Sequence, residues 1–358
     1  MIATPVSGAA GRLQEQERDA TARGRIGWLD IARGLTIILV VIGHVERGLD
    51  LARIAHGPVW AWMDYAIYTF HMPAFFLFSG LTAYMSLRKR DSAAFLKDKL
   101  WTIVYPYFLW SLIQGFFMYA LSSLTTSKET LHGILLIGWQ PIGQFWFLYV
   151  LMIYQMVGAA MFRYRAMLLG LSACLYVLPA FCPLPDLIHE TCHFMIFYTV
   201  GFYDLAALIG FMRDRRNVLM AAFAMCFAVA TYFSDISDHG NYYSLQSLPS
   251  TLFGVGLILA ISLALDEGTA QRIAGVLIAL GGASMTIYVL HILFGAGMRV
   301  LLGKLHIPAN AWLYLAASTL VAVTGPYFLH RMLTRFRLLT PLGLAPLRRA
   351  PALQEKPA

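Results

Sequence analysis

Between Arg25 and Gly48 the chain reads RIGWLDIARGLTIILVVIGHVERG. Its centre is apolar enough to sit in a membrane, yet Arg33 stands near the start of that run and His44 near its end. Eleven residues of α-helix turn about 20° past three full circles, so both side chains face the same way, about 16 Å apart in depth. Asp30, three residues before Arg33, shares the face and can hold the guanidinium. A charge buried in lipid is costly, so this stripe is expected to point into a helical bundle or a wet cavity. Taken singly, Arg33 could snorkel to the interface and His44 could be a hydrogen-bonded interior histidine. Their alignment beside Asp30 points instead to a site.

The rest of the chain agrees with a membrane setting. Of its 358 residues 59% are hydrophobic and only 13% charged, where a soluble domain carries about a quarter charged. Apolar runs recur throughout, which implies an all-α, polytopic membrane protein. Ten spans are expected, at roughly 29–47, 66–87, 101–123, 143–162, 166–181, 191–211, 217–233, 247–265, 273–300 and 309–330. A polar arm (1–24) without the apolar core of a signal peptide precedes a membrane domain (25–335), and a tail (336–358) follows. With the N-terminus inside, only Arg47, Arg53, Lys128 and Lys304 fall in outer segments, and most of the other Lys and Arg become cytoplasmic. That asymmetry places both termini in the cytoplasm. The net charge of +8 therefore records topology, and no nucleic-acid partner is expected.

Other polar residues join the first stripe. His71, in FHMPAFFLFSG, and His291, in ASMTIYVLH, fall by helical rise at a depth similar to His44. Histidines at one depth suit proton transfer, although for His71 alone core packing is the default reading. Asp204 and Arg299 are further charges within apolar runs. The four cysteines show no metal or redox spacing; Cys182 and Cys192 could meet, or remain free.

At these residues the sequence resembles the multi-span acyltransferase 3 family. LDIARG running to VVIGH carries its R-x(10)-H signature at Arg33 and His44, followed in order by FHMPAFFLFSG, YPYFLW, QFWFLYVLMIYQ and ASMTIYVLH. The wording GLTIILVVIGH is most similar to fucose-4-O-acetylase-like and exopolysaccharide acetyltransferases. Lys97, Lys99 and Trp101 stand where the family commonly has arginines before its PY motif. No SGNH-type esterase domain is expected after the membrane part.

The resemblance implies a bacterial inner-membrane enzyme that moves an acyl group, acetyl first, from cytoplasmic acyl-CoA to a hydroxyl of a glycan or lipid-linked oligosaccharide. Under that scheme Arg88, Lys89, Arg90, Lys97 and Lys99 would bind the donor's phosphates, although the same run could serve only as a topological anchor. The pantetheine arm would pass Arg33 and bring the thioester to His44. His44 would be the general base, with an acyl-histidine intermediate equally compatible. Ser79 and Tyr288 are candidate oxyanion donors. The resemblance assigns Trp146 to the pocket rim, a position that also reads as aromatic belt. No metal is expected.

Two other readings compete. HETCH at 189–193 fits H-E-x-x-H, a zinc-protease motif when helical; a polar loop or part of an acceptor pocket is the plainer reading. Buried His and Arg also mark transporters and flippases.

Overall fold

A computed structural model describes residues 27–120, 130–203, 205–234 and 241–346. The expected N-terminal arm, most of the C-terminal tail, Lys128 and Asp204 lie outside the described residues. Every regular element among those described is helical.

The opening stretch forms α1 (Gly27–Leu51). Its 25 residues reach about 37 Å, more than the ~30 Å of a hydrocarbon core. α2 (Pro58–Tyr68) and α3 (His71–Leu87) follow as one nearly continuous stretch. Next come α4 (Ser92–Lys99), a π-helical turn at Leu100–Val104, and α5 (Tyr105–Ala120). That turn has a sequence cause. Pro106 cannot donate a backbone hydrogen bond and its ring crowds the preceding turn. The wider turn, in which the Tyr105 N–H reaches the Leu100 carbonyl, relieves the crowding.

Further along come α6 (Leu131–Leu135), α7 (Trp146–Met161), α8 (Arg165–Val177) and α9 (Asp186–Val200). α10 (Ala206–Asp214), α11 (Arg216–Tyr232), α12 (Leu248–Glu267), α13 (Gln271–Gly282), α14 (Ser284–Lys304) and α15 (Ala311–Arg335) complete the series.

Among the described residues seven helical stretches are long and apolar enough to cross a bilayer, and α11 and α13 are shorter apolar helices. The ten expected spans differ from this in three places besides 217–233, which is the shorter helix α11. Spans 143–162 and 166–181 form one stretch, Gly143–Ala180, interrupted by a 3-10 turn at Phe162–Tyr164. Span 191–211 is two shorter helices, α9 and α10. Span 273–300 is broken at Ala283 into α13 and α14, directly after Gly281 and Gly282, which are weak helix formers.

α1 sits at the centre, packed on α12, α13, α14 and α15. Two-thirds of its apolar stretch (67%) is buried, against 28% for α15, so α15 leaves far more apolar surface exposed than α1 does. The contact with α13 is backbone on backbone. A Cβ at Gly34 would lie 2.2 Å from the Leu277 carbonyl oxygen, and one at Gly281 would lie 2.0 Å from that of Asp30. These glycines let α13 press against the turn that carries Arg33. Gly80 and Gly201 make the equivalent crossing between α3 and the end of α9.

Candidate active site

The C-terminal turns of α1 bring His44 to a cavity of about 420 Å³. Its polar wall comes from His44, Arg47, His291, Arg299 and Ser318; Leu, Ile, Val, Phe and Met side chains supply the rest. His44 and His291 meet there with ring centroids 5.0 Å apart. Tyr68 extends the cluster: its ring lies 6.3 Å from His44 and 4.7 Å, edge-on, from His71. Three histidines from three separate helices therefore gather at one level. His71 does not line the cavity; it is buried behind Tyr68, with its Nδ1 2.7 Å from the Ile67 carbonyl oxygen.

Arg47 completes the group. Its Nε and Nη2 donate to the two oxygens of Asp64 at 2.6 and 3.2 Å. Its guanidinium carbon lies 3.2 Å from the Tyr68 ring centroid and 5.3 Å from that of Tyr242. Three buried polar atoms here have no hydrogen-bond partner among the described residues: Tyr68 OH, His291 Nε2 and Ser318 Oγ. Buried groups of this kind are few in folded proteins and concentrate where chemistry needs them.

Sequence reasoning treated Arg47 as an outer loop charge and did not see Asp64 or Tyr68. The signal was present. Arg47 follows His44 at helical spacing i, i+3, and Asp64, Tyr68 and His71 recur at intervals of four and three.

Arg33 lies toward the other end of α1, outside the cavity lining. It is half-buried and paired with Asp30 at 3.5 Å. Its charge also reaches Lys99. Lys99 and Arg90 both lie 3.8 Å from Asp98. Of the five expected phosphate ligands the structure thus brings Arg90 and Lys99 toward Arg33, whereas Arg88, Lys89 and Lys97 are exposed. Arg88 lies 5.6 Å from the Tyr84 ring centroid.

The remaining candidates are placed apart from the cavity lining. The Tyr288 hydroxyl donates to the Gln144 carbonyl, which commits it structurally. Gln144 in turn exchanges amide hydrogen bonds with Gln114, at 2.8 and 3.0 Å. Trp146 stacks on Phe194 at 5.7 Å. Ser79 is half-buried on α3. Cys182 is exposed, Cys192 is buried, and both are free.

HETCH does form helix, within α9. Among the described residues, however, no group of three His, Cys, Asp or Glu side chains gathers to hold a metal. Glu190 accepts from the Tyr243 hydroxyl at 3.2 Å, and His193 packs on Tyr176 at 4.7 Å. Tyr243 stacks edge-on against Tyr242 at 4.4 Å, and Tyr242 lies 5.7 Å from Tyr68. HETCH is thereby joined to the His44 cluster through a row of aromatic rings.

A family model for the acyltransferase domain, of the acyltransferase 3 type, matches residues 26–331. The chain belongs to the acyltransferase 3 family. The match begins at the first residues of the Arg33–His44 stretch and runs through α14 into α15, so both helices that carry the paired histidines lie inside it. The protein is a multi-pass membrane acyltransferase. No curated protein matches the chain.

Proposed function

We propose that this acyltransferase moves an acyl group, acetyl first, from acyl-CoA to a hydroxyl of a surface glycan or exopolysaccharide unit at the bacterial inner membrane. The observation that carries the reading is the placement of His44: it faces a cavity beside a second histidine, while the same helix presents Arg33 to a cationic group at its other end. A guanidinium and neighbouring ammonium groups recognise phosphates. The ~16 Å rise from Arg33 to His44 lets a flexible arm keep its nucleotide at one end and its thioester at the other.

His44 takes the proton of the acceptor hydroxyl as the oxygen attacks the thioester carbonyl carbon. The carbon–sulfur bond then breaks, and the departing thiolate recovers the proton from the imidazolium. Proton removal of this kind contributes about 10²–10⁴ in rate. The apolar walls favour an acceptor presented on a lipid carrier over a free polymer, because a sugar site alone would be lined by more polar groups.

The test is release of coenzyme A thiol from acetyl-CoA by membranes containing the protein. Wild type should release thiol in step with glycan O-acetylation. His44→Ala and Arg33→Ala should do neither while remaining in the membrane. An active His44→Ala protein refutes the assignment, and glycan movement without thiol release would favour a transporter.

A further inference from the structure

We propose that His291 is the positioning residue for His44: its Nε2 accepts an N–H from the His44 ring, so that the opposite nitrogen of His44 presents a lone pair to the acceptor hydroxyl. This rests on the reading of His44 as the base and adds a second residue to it.

The tautomer of His291 follows from its surroundings. Its Nδ1 lies 2.7 Å from the Tyr288 carbonyl oxygen and 3.2 Å from that of Ile287. Carbonyl oxygens only accept, so Nδ1 carries the hydrogen. A neutral imidazole protonated at Nδ1 has its lone pair on Nε2. That atom is buried and has no hydrogen-bond partner among the described residues, while the residue itself is 1% exposed. The acceptor is therefore fixed in direction by α14 and lies on the cavity wall beside His44.

The ring separation fits the contact. An N–H···N bond of ~3 Å plus the two ring radii places imidazole centroids about 5 Å apart. The observed separation is 5.0 Å, with the planes tilted by 49°. His44 makes no hydrogen bond to the described residues, so its ring can turn into line. Once it has turned, one His44 nitrogen donates to His291 and the other is left as the proton acceptor. When His44 takes the hydroxyl proton, the positive charge is shared along the N–H···N bond. His291 keeps its own hydrogen throughout, and the proton returns from His44 to the leaving thiolate.

The two amide substitutions of His291 separate this role from a packing role. Gln places its side-chain oxygen where Nε2 lies and keeps the acceptor. Asn reaches only the Nδ1 position, so it keeps the bond to the backbone carbonyl and loses the acceptor. In the thiol-release assay on native membranes, His291→Gln should stay within about tenfold of wild type, and His291→Asn should fall by about 10²–10⁴.

Carbethoxylation of His44 by diethyl pyrocarbonate, followed by mass spectrometry, gives a readout that needs neither donor nor acceptor. His291→Asn should slow it several-fold, and His291→Gln should slow it less. Asn as active as Gln, or an unchanged His44 modification rate in His291→Asn, overturns the proposal while leaving His44 as base. Full activity in His44→Ala overturns both readings.

Discussion

Substituting Gly281 by Ala tests the idea that a backbone contact seats the Arg33 turn. A Cβ at this position would lie 2.0 Å from the Asp30 carbonyl oxygen, and ordinary contact begins at 3.4 Å. The obstacle is backbone, not a flexible side-chain end, so no rotamer change relieves it. α1 and α13 must separate by about 1.4 Å at Asp30, the difference between those two distances. Overpacking of this kind costs about 1–3 kcal/mol. A misplacement of roughly 1 Å caused by a substitution away from the chemistry can cost about a hundredfold in rate. Gly275 is the internal control: it lies in the same helix, and a Cβ there meets nothing within 4 Å. Gly275→Ala should be neutral or stabilising by about 0.5–1 kcal/mol, since Ala is the better helix former. Thermal melts in detergent and the thiol-release assay should both separate the two variants. Gly281→Ala with wild-type melting and activity would refute the reasoning, as would equal damage from Gly275→Ala.

Other substitutions probe the remaining contacts. Asp64→Asn removes the carboxylate that receives two hydrogen bonds from Arg47 and should destabilise by about 1–3 kcal/mol; wild-type melting would show that the pair holds nothing in place. Tyr288→Phe deletes the hydroxyl that caps the Gln144 carbonyl and should lower stability by about 1 kcal/mol, with less than a tenfold loss of kcat/KM. A larger kinetic loss at unchanged stability would return Tyr288 to the oxyanion role. Arg33→Lys keeps the charge but loses the forked donor geometry and should raise KM for acyl-CoA more than it lowers kcat; an unchanged KM would separate Arg33 from donor binding.

Much of the site was readable because helical period converts spacing into direction. Arg33, His44 and Asp30 could be assigned to one helix face, and His71 and His291 to the level of His44, by counting rise. Spacing could have put Arg47 on the His44 face and Asp64 on the Tyr68–His71 face, but not the contact between them, because it joins two helices across a loop and each residue looks like an ordinary interfacial charge. Tyr288 looked available as a donor until the fold brought the Gln144 carbonyl to its hydroxyl. The break at Ala283 was hidden because Gly281, Gly282, Ser284 and Thr286 are small and lie between strongly apolar runs, so averaged hydropathy runs through it. HETCH carries a familiar pattern, yet its partner Tyr243 comes from a distant part of the chain that no local motif reveals.

The apolar walls around His44 carry a consequence for economy of the donor. A thioester beside a basic nitrogen is open to hydrolysis whenever water can reach it. Leu49, Phe117, Met118 and Leu293 offer water nothing to bind, so water in the cavity would be held only by the few polar groups of its wall. In the proposed reaction an incoming alcohol would bring its own hydroxyl to this mostly apolar wall and meet little competition from bulk solvent, which would keep idle breakdown of the activated acyl group low between acceptors.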